Sequence, residues 1–229
     1  MNGPNHSRPS WIGALLLGLA LLGGCSSLLP SAGPQATFYS LDNFRPVLDQ
    51  TPKSQPKSAS APTLVVSPTR SASGLDSQRI IYLRQAHTFE YFANSEWADL
   101  PARMLTPLIV STLERGGSFR AVVAAPNSAT GELRLDTELM RLQHDFTTQP
   151  SRVRVTLRAY LVDNTTRQVL AWNEFDQTVI SSSEDAYGGV VAANSAVRAV
   201  LEDLAEFCAD SASRWRSPES LVSGSRLSP

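Results

Sequence analysis

The sequence predicts an α/β fold: a single three-layer-like domain with a mixed, largely antiparallel sheet and two principal helices. Two kinds of pattern support this prediction. Residues 152–163 alternate between apolar and polar side chains, as in a strand whose sheet is covered on one face. Residues 99–116 and 185–213 repeat apolar side chains at helical spacing. Around these helices we count about six or seven strands.

The first half of the domain reads as short strands followed by a helix. We predict a strand at 37–42 that joins the domain, a flexible Ser/Pro-rich linker at 49–62, and strands at 63–66, 78–83 and 88–92. Asp99 and Pro101 begin the first helix, and Gly116-Gly117 ends it. Pro107 lies inside this helical pattern, which predicts a kink or a late helix start. A buried strand at 119–124 follows.

The second half reads as three long strands and a helix. The strands are predicted near 131–147, 152–163 and 168–180. The apolar stripe of the last helix is expected to pack on the sheet and comprises Val197, Val200, Leu201, Leu204, Phe207 and Cys208. The globular domain therefore spans 63–213, and 214–229 is predicted to be a disordered tail.

The N-terminus has the pattern of a secretory signal peptide over residues 1–24. A polar start with Arg8 precedes an apolar run from Trp11 to Leu22 and two small residues. The run is too short for the roughly 20 residues that span a bilayer. Cleavage is expected between Gly24 and Cys25.

Leu22-Gly23-Gly24-Cys25 resembles the bacterial lipobox, so we predict that Cys25 is lipidated. Ordinary secretion with an incidental cysteine is the alternative. Several acyl chains hold a protein on a membrane more firmly than a single chain, which binds only marginally. Residues 25–62 are interpreted as a lipidated N-terminus, the first strand and the linker. Residues 42–62 are expected to let the tethered domain extend away from the membrane.

Ser26 resembles the sorting residue of outer-membrane lipoproteins. It predicts that the protein is anchored in the outer membrane and faces the periplasm.

The net charge and the cysteine content limit the partners and the covalent bonds that the protein can have. The formal net charge is −1, which argues against a nucleic-acid partner. With Cys25 lipidated, Cys208 remains as the one thiol, and no intramolecular disulfide can form. We expect Cys208 to be a buried small apolar residue rather than a reactive thiol.

No catalytic residue, cofactor site or metal site is predicted. His87 and His144 belong to different segments and to no metal or nucleophile motif, and we expect each to be a surface or capped residue. Asp145 beside His144 suggests only a weak dyad alternative. Gly188-Gly189 is interpreted as a flexible helix entry, with anion binding as the alternative, and 181–185 as a loop with a helix cap.

Arginines form the most suggestive polar feature. Arg152, Arg154 and Arg158 share one face of a strand, with Arg134 expected nearby. They could contact lipid phosphates or an acidic partner. The favoured interpretation instead pairs them with Asp136 and Glu138 on the neighbouring strand.

Several segments together resemble the ABC-type transport auxiliary lipoproteins, also called PqiC-like. The first two are Tyr39-Ser40-Leu41 and the run 75–82, LDSQRIIY, in which Ser77 replaces the family's usual arginine. Further similar segments are 96–105, 117–119, 164–175 and 192–196. The resemblance covers about residues 37–210.

The resemblance implies a lipid-anchored, non-enzymatic component of an MCE-type ABC system that moves lipids between the inner and outer membranes and supports envelope integrity. Its expected partners are MCE-domain and ABC transporter subunits. A homo-oligomer is also possible. It also implies a compact three-layer α/β fold, with no catalytic residues to carry over. A periplasmic lipid-binding carrier is the alternative function, and a hydrolase is a distant third.

Overall fold

The computed structural model describes residues 35–42, 61–126 and 130–215. They form a nine-stranded sheet and two helices. The strands are β1 Thr37–Tyr39, β2 Thr63–Val66, β3 Arg70–Ser71, β4 Arg79–Leu83, β5 Glu90–Trp97, β6 Ala121–Ala124, β7 Leu133–Asp145, β8 Arg152–Asp163 and β9 Val169–Ile180. The helices are α1 Pro101–Gly116 and α2 Ala186–Arg214. The signal peptide, Gly24 and Cys25, the linker up to residue 60 and the tail from residue 216 lie outside the described residues.

Strands β7, β8 and β9 form a long antiparallel meander. The alternation that predicted β8 is confirmed: Val153, Val155 and Leu157 are buried, whereas Arg152 and Arg154 are exposed. A register shift between Leu139 and Arg141 interrupts β7, and the buried residues keep to the same face on both sides of it. One face of the meander is therefore covered and the other is open.

The other edge of β7 receives three short strands in succession, all parallel to it. β2 pairs with its beginning, β3 with its middle and β4 with its end. β6 then adds to β2 in parallel, β5 adds to β4 in antiparallel, and β1 adds to β5 in parallel. The predicted mixed sheet is confirmed. The strand predicted at 119–124 is shorter and lies at an edge, where Val122 is its one buried residue.

Helix α1 begins at Pro101, where a missing N–H costs nothing, and continues through Pro107. The late start that Pro107 suggested is therefore wrong. Gly117 ends the helix in the left-handed conformation with φ 69°.

Helix α2 begins after Asp185, whose carboxylate accepts a hydrogen bond from Gly188 N at 2.8 Å. The apolar stripe predicted for this helix is buried apart from Phe207, which is half-buried.

Both helices lie on the same face of the sheet. Thr69 Oγ1 bonds Thr137 of β7 at 2.9 Å, and Thr106 of α1 donates to Thr69 at 3.3 Å. Helix α2 packs on β8 and β9, and the two helices contact each other. The expected α/β class is confirmed, but the described residues form two layers rather than three. The core lies between these layers and includes Leu64, Ile109, Leu135, Leu161 and Leu204.

Candidate functional site

The open face of the β7–β9 meander carries the predicted arginines. Arg154 Nε donates to Asp176 Oδ1 at 2.8 Å, and Arg158 Nη2 donates to Glu174 at 2.8 Å. Both carboxylates belong to β9, so the predicted pairing with Asp136 and Glu138 on β7 is wrong. Each β8 residue has a neighbour on both sides, and the sequence alone did not indicate which side supplies the carboxylate.

The other two predicted arginines, Arg134 and Arg152, bond locally. Arg134 pairs with Asp136 two residues along its own strand, with Nη2–Oδ2 at 3.1 Å. Arg152 Nε donates to Thr148 at 3.0 Å. Hydrogen bonds from Arg154 hold the pKa of Asp176 below its ordinary value. These guanidinium groups are therefore largely engaged within the molecule, and such half-exposed pairs contribute about 1 kcal/mol or less each.

Strand β9 forms an edge of the sheet. Among the described strands it pairs with β8 alone, over almost its whole length. Several of its apolar side chains are exposed, and Trp172, 63% exposed, stacks on Tyr160 with ring centroids 6.4 Å apart. This edge is long and apolar enough to bind another chain.

A shallow cleft of about 420 Å³ lies between β9 and α2. Phe175 and Phe207 meet edge to face in it, with centroids 5.7 Å apart. No basic residue lines the cleft, and the carboxylates that face it belong to Asp203, Glu206 and Asp210 of α2. Glu174 and Asp176 of β9 also border the cleft, but their carboxylates lie on the open face of the sheet, where they pair with Arg158 and Arg154. The cleft is therefore acidic.

His144 is buried, so its interpretation as a surface or capped residue is wrong. His144 Nε2 lies 2.8 Å from Ser151 Oγ, and Ser151 N donates to Glu184 at 3.0 Å. Burial lowers the pKa of His144, against the opposing effect of nearby carboxylates. Ser151 is fully buried and so cannot meet a substrate from solvent. This cluster joins the β7–β8 hairpin to the start of α2.

The His144–Asp145 dyad, the weak alternative from the sequence, does not form. Asp145 Oδ1 accepts hydrogen bonds from the backbone and side chain of Thr147, at 2.8 and 2.6 Å. His87 is exposed in the turn between β4 and β5, with φ 66°.

Gly188 and Gly189 are required for close packing, so their interpretation as a flexible helix entry is wrong. A Cβ at Gly189 would lie 2.4 Å from His144 Nδ1, and one at Gly188 would lie equally close to Ser183. The amide of Gly188 is already bound by Asp185, which removes it from any anion site. The helix cap predicted in 181–185 is confirmed as Asp185.

Other side chains agree with a structural role. Cys208 is fully buried, as expected, and burial raises the pKa of its thiol to about 12. Among the described residues no group of His, Cys, Asp and Glu side chains could hold a metal ion. No helix in the described part of the chain is long and apolar enough to cross a bilayer.

Comparison with known families identifies the chain. The family model described as the ABC-type transport auxiliary lipoprotein component matches residues 46–205. The chain belongs to this family. It is therefore an auxiliary lipoprotein component of an ABC-type transport system, anchored to a membrane by lipid.

Solved structures give the same fold. Protein XCC0632 from Xanthomonas campestris has a TM-score of 0.61 and 21% identity, over 67% of this chain and 87% of that chain. An uncharacterized protein has a TM-score of 0.54 and 13% identity, over 64% and 91% of the two chains. No curated protein matches the sequence. At these identities the structures indicate the fold of the auxiliary lipoprotein and nothing more.

The auxiliary lipoprotein holds the segment that precedes its linker at a junction that the sequence did not reveal. Asn194 of α2 accepts a hydrogen bond from Asp42 N at 2.8 Å and donates to Ser40 O at 3.1 Å. Ala98 N donates to Tyr39 O at 2.7 Å, and Leu41 is buried. In the sequence, only the family resemblance includes Asn194. A polar residue in a helix does not indicate a hydrogen-bond partner 152 residues away.

Proposed function

We propose that this auxiliary lipoprotein is a non-enzymatic component of an MCE-type ABC system that moves lipids between the inner and outer membranes and supports envelope integrity. Cys25, exposed by cleavage after Gly24, carries the lipid. Its anchor lies in the outer membrane, and the domain faces the periplasm. The family match over residues 46–205 is the observation that carries this proposal.

The junction at Asn194 limits the length of chain that lies between the lipid anchor and the domain. Nine residues, 26–34, separate Cys25 from the first described residue. At ~3.3 to 3.6 Å per residue they extend at most about 30 Å. β1 is bound into the sheet, so 43–60 connects two strands of one domain and adds no length between anchor and body. We therefore propose that residues 26–34, rather than residues 42–62 as expected from the sequence, set the reach of the domain from its anchor.

A docking role fits the chemistry of the described residues better than a carrier role. The cleft beside β9 is lined by carboxylates, which suit a cationic protein surface and would repel the phosphate of a phospholipid. The Ser151–His144 contact is buried and serves packing. The periplasmic lipid-binding carrier therefore remains the less favoured function.

Crosslinking in the native envelope tests the proposal. The wild-type protein and a Cys25→Ser variant that is exported but not lipidated are crosslinked in cells, and the partners are identified by mass spectrometry. We expect an MCE-domain protein with the wild type and a much lower yield with the variant. Recovery of cell-wall enzymes alone would overturn the proposal. Phospholipid retained by the delipidated protein in native mass spectrometry would favour the carrier instead.

A further inference from the structure

The free edge of β9 has few of the features that keep sheet edges from binding other chains. The strand is 12 residues long, VLAWNEFDQTVI, and contains neither proline nor lysine. About half of the N–H and C=O groups of such an edge strand point away from its neighbour. Val169, Leu170, Trp172 and Ile180 are between 39% and 65% exposed. Glu174 and Asp176 are the charges on the strand, and both are paired with arginines of β8.

Beside this edge, α2 contributes a row of carboxylates. Asp203, Glu206 and Asp210 recur at intervals of three and four residues, so they share one side of the helix and line the cleft. Asp203 accepts a hydrogen bond from Gln177 at 2.9 Å, and Asp210 pairs with Arg214 at 3.6 Å. Glu206 is exposed and has no polar partner among the described residues. A chain placed next to β9 would therefore lie against a negative surface.

We infer that β9 binds an extended, basic segment of a partner protein, which adds to the sheet as a further strand over the acidic cleft. Backbone hydrogen bonds to the free edge supply the affinity, and alternating basic and apolar side chains supply the specificity. The inference rests on the proposed docking role, and it deepens that role by assigning the surface and the partner's chemistry.

Other occupants fit this edge less well. Two copies joined edge to edge through β9 would bring the carboxylates of both clefts together, and like charges oppose such pairing. Within this chain, the segment 43–60 contains Pro46, Pro52 and Pro56, which cannot donate to a strand ladder. The tail 216–229 carries one glutamate against two arginines, which is a weak match to the three carboxylates of α2.

A defined peptide tests the edge directly. Full-length protein in detergent micelles is titrated with a fluorescein-labelled octapeptide of alternating lysine and valine, with a glutamate–valine octapeptide as the control. We expect salt-sensitive binding of the lysine peptide alone, with slowed hydrogen exchange at the backbone amides of β9. Glu206→Lys should weaken binding about three- to tenfold. Glu114→Lys, an equal charge change at an exposed position of α1, should change binding less than twofold. Binding without protection of β9, or equal effects of both variants, would overturn the inference.

Photocrosslinking in cells separates this inference from the proposed function. A photoreactive residue replaces Asn173, which is exposed and lines the cleft, and Glu114 serves as the control position. We expect Asn173 to capture a basic segment of another protein, and Glu206→Lys to reduce the yield. Capture of residues 43–60, the tail or a second copy would overturn the inference. If an MCE-domain protein crosslinks only through other surfaces, the inference fails while the proposed function stands. If a basic segment of an unrelated protein is captured, the proposed function fails while the inference stands.

Discussion

Gly189→Ala tests the packing that joins α2 to the β7–β8 hairpin. Helix propensity alone predicts that alanine in place of a helical glycine stabilises the fold by about 1 kcal/mol. Here the added Cβ would lie 2.4 Å from Nδ1 and 3.0 Å from Cε1 of His144. Ordinary contact needs about 3.5 Å, so the ring or the helix must move by roughly 1 Å. Such overpacking costs about 1 to 3 kcal/mol.

The same displacement would also break the hydrogen bond between His144 and Ser151. Loss of this buried bond lowers the free energy of unfolding by a further ~1 to 3 kcal/mol. After the gain of about 1 kcal/mol in helix propensity is subtracted, the net expectation is a destabilisation of about 1 to 5 kcal/mol. His144 cannot turn outward to relieve the contact, because it packs against Phe146 with ring centroids 4.1 Å apart.

Urea denaturation followed by circular dichroism measures this effect on a chain that starts at residue 25 and carries Cys25→Ser. Gly116→Ala is the matched control, because a Cβ there meets nothing within 4 Å, and it should be neutral or stabilising. His144→Ala should largely relieve the clash in the double variant. If Gly189→Ala raised the free energy of unfolding as Gly116→Ala does, the packing argument would be refuted.

Three further predictions concern other residues of the fold. Burial lowers the pKa of His144, so the unfolded chain binds a proton more readily than the folded chain does. The free energy of unfolding should therefore fall as the pH drops below about 6.5. Urea midpoints measured between pH 7.5 and 5.5 should decrease less in the His144→Gln variant than in the wild type. Asn194→Ala should cost about 1 to 2 kcal/mol and speed hydrogen exchange in residues 35–42, whereas Ser195→Ala, which loses one bond within its own helix, should leave that exchange unchanged. Cys208 should resist thiol reagents at pH 7.5 until the chain is unfolded; rapid labelling of the native protein would contradict its burial and its raised pKa.

The sequence predicted the antiparallel half of the sheet better than the parallel half. β8 matches its predicted bounds, because one covered face imposes a period of two on its side chains. β3 was missed, since its two residues leave no pattern. The parallel pairing of β2, β3 and β4 with β7 depends on contacts between residues distant in sequence, which local periodicity does not encode. The number of layers was wrong for a related reason: amphipathic helices do not reveal which face of a sheet they cover.

The site was predicted only in part. The arginines of β8 were found from their alternation, but their carboxylate partners were placed on the wrong neighbouring strand. His144 was taken for a surface or capped residue because nothing in its sequence context indicates Ser151 or Gly189 as neighbours. The edge position of β9 follows from the order of strands in the sheet, so the cleft between β9 and α2 could not be read from the chain. Cys208 was placed correctly, because it continues the apolar stripe of α2.

The proposed function requires that a lipid anchor at Cys25 hold the docking domain at the outer membrane. The most direct test is rescue of the envelope permeability barrier in bacteria that lack this protein. Wild-type protein should restore the barrier. Cys25→Ser, exported through a signal peptide that is cleaved without lipidation, should leave the barrier impaired even though the domain is folded and present in the periplasm. Full restoration by this soluble form would contradict the account.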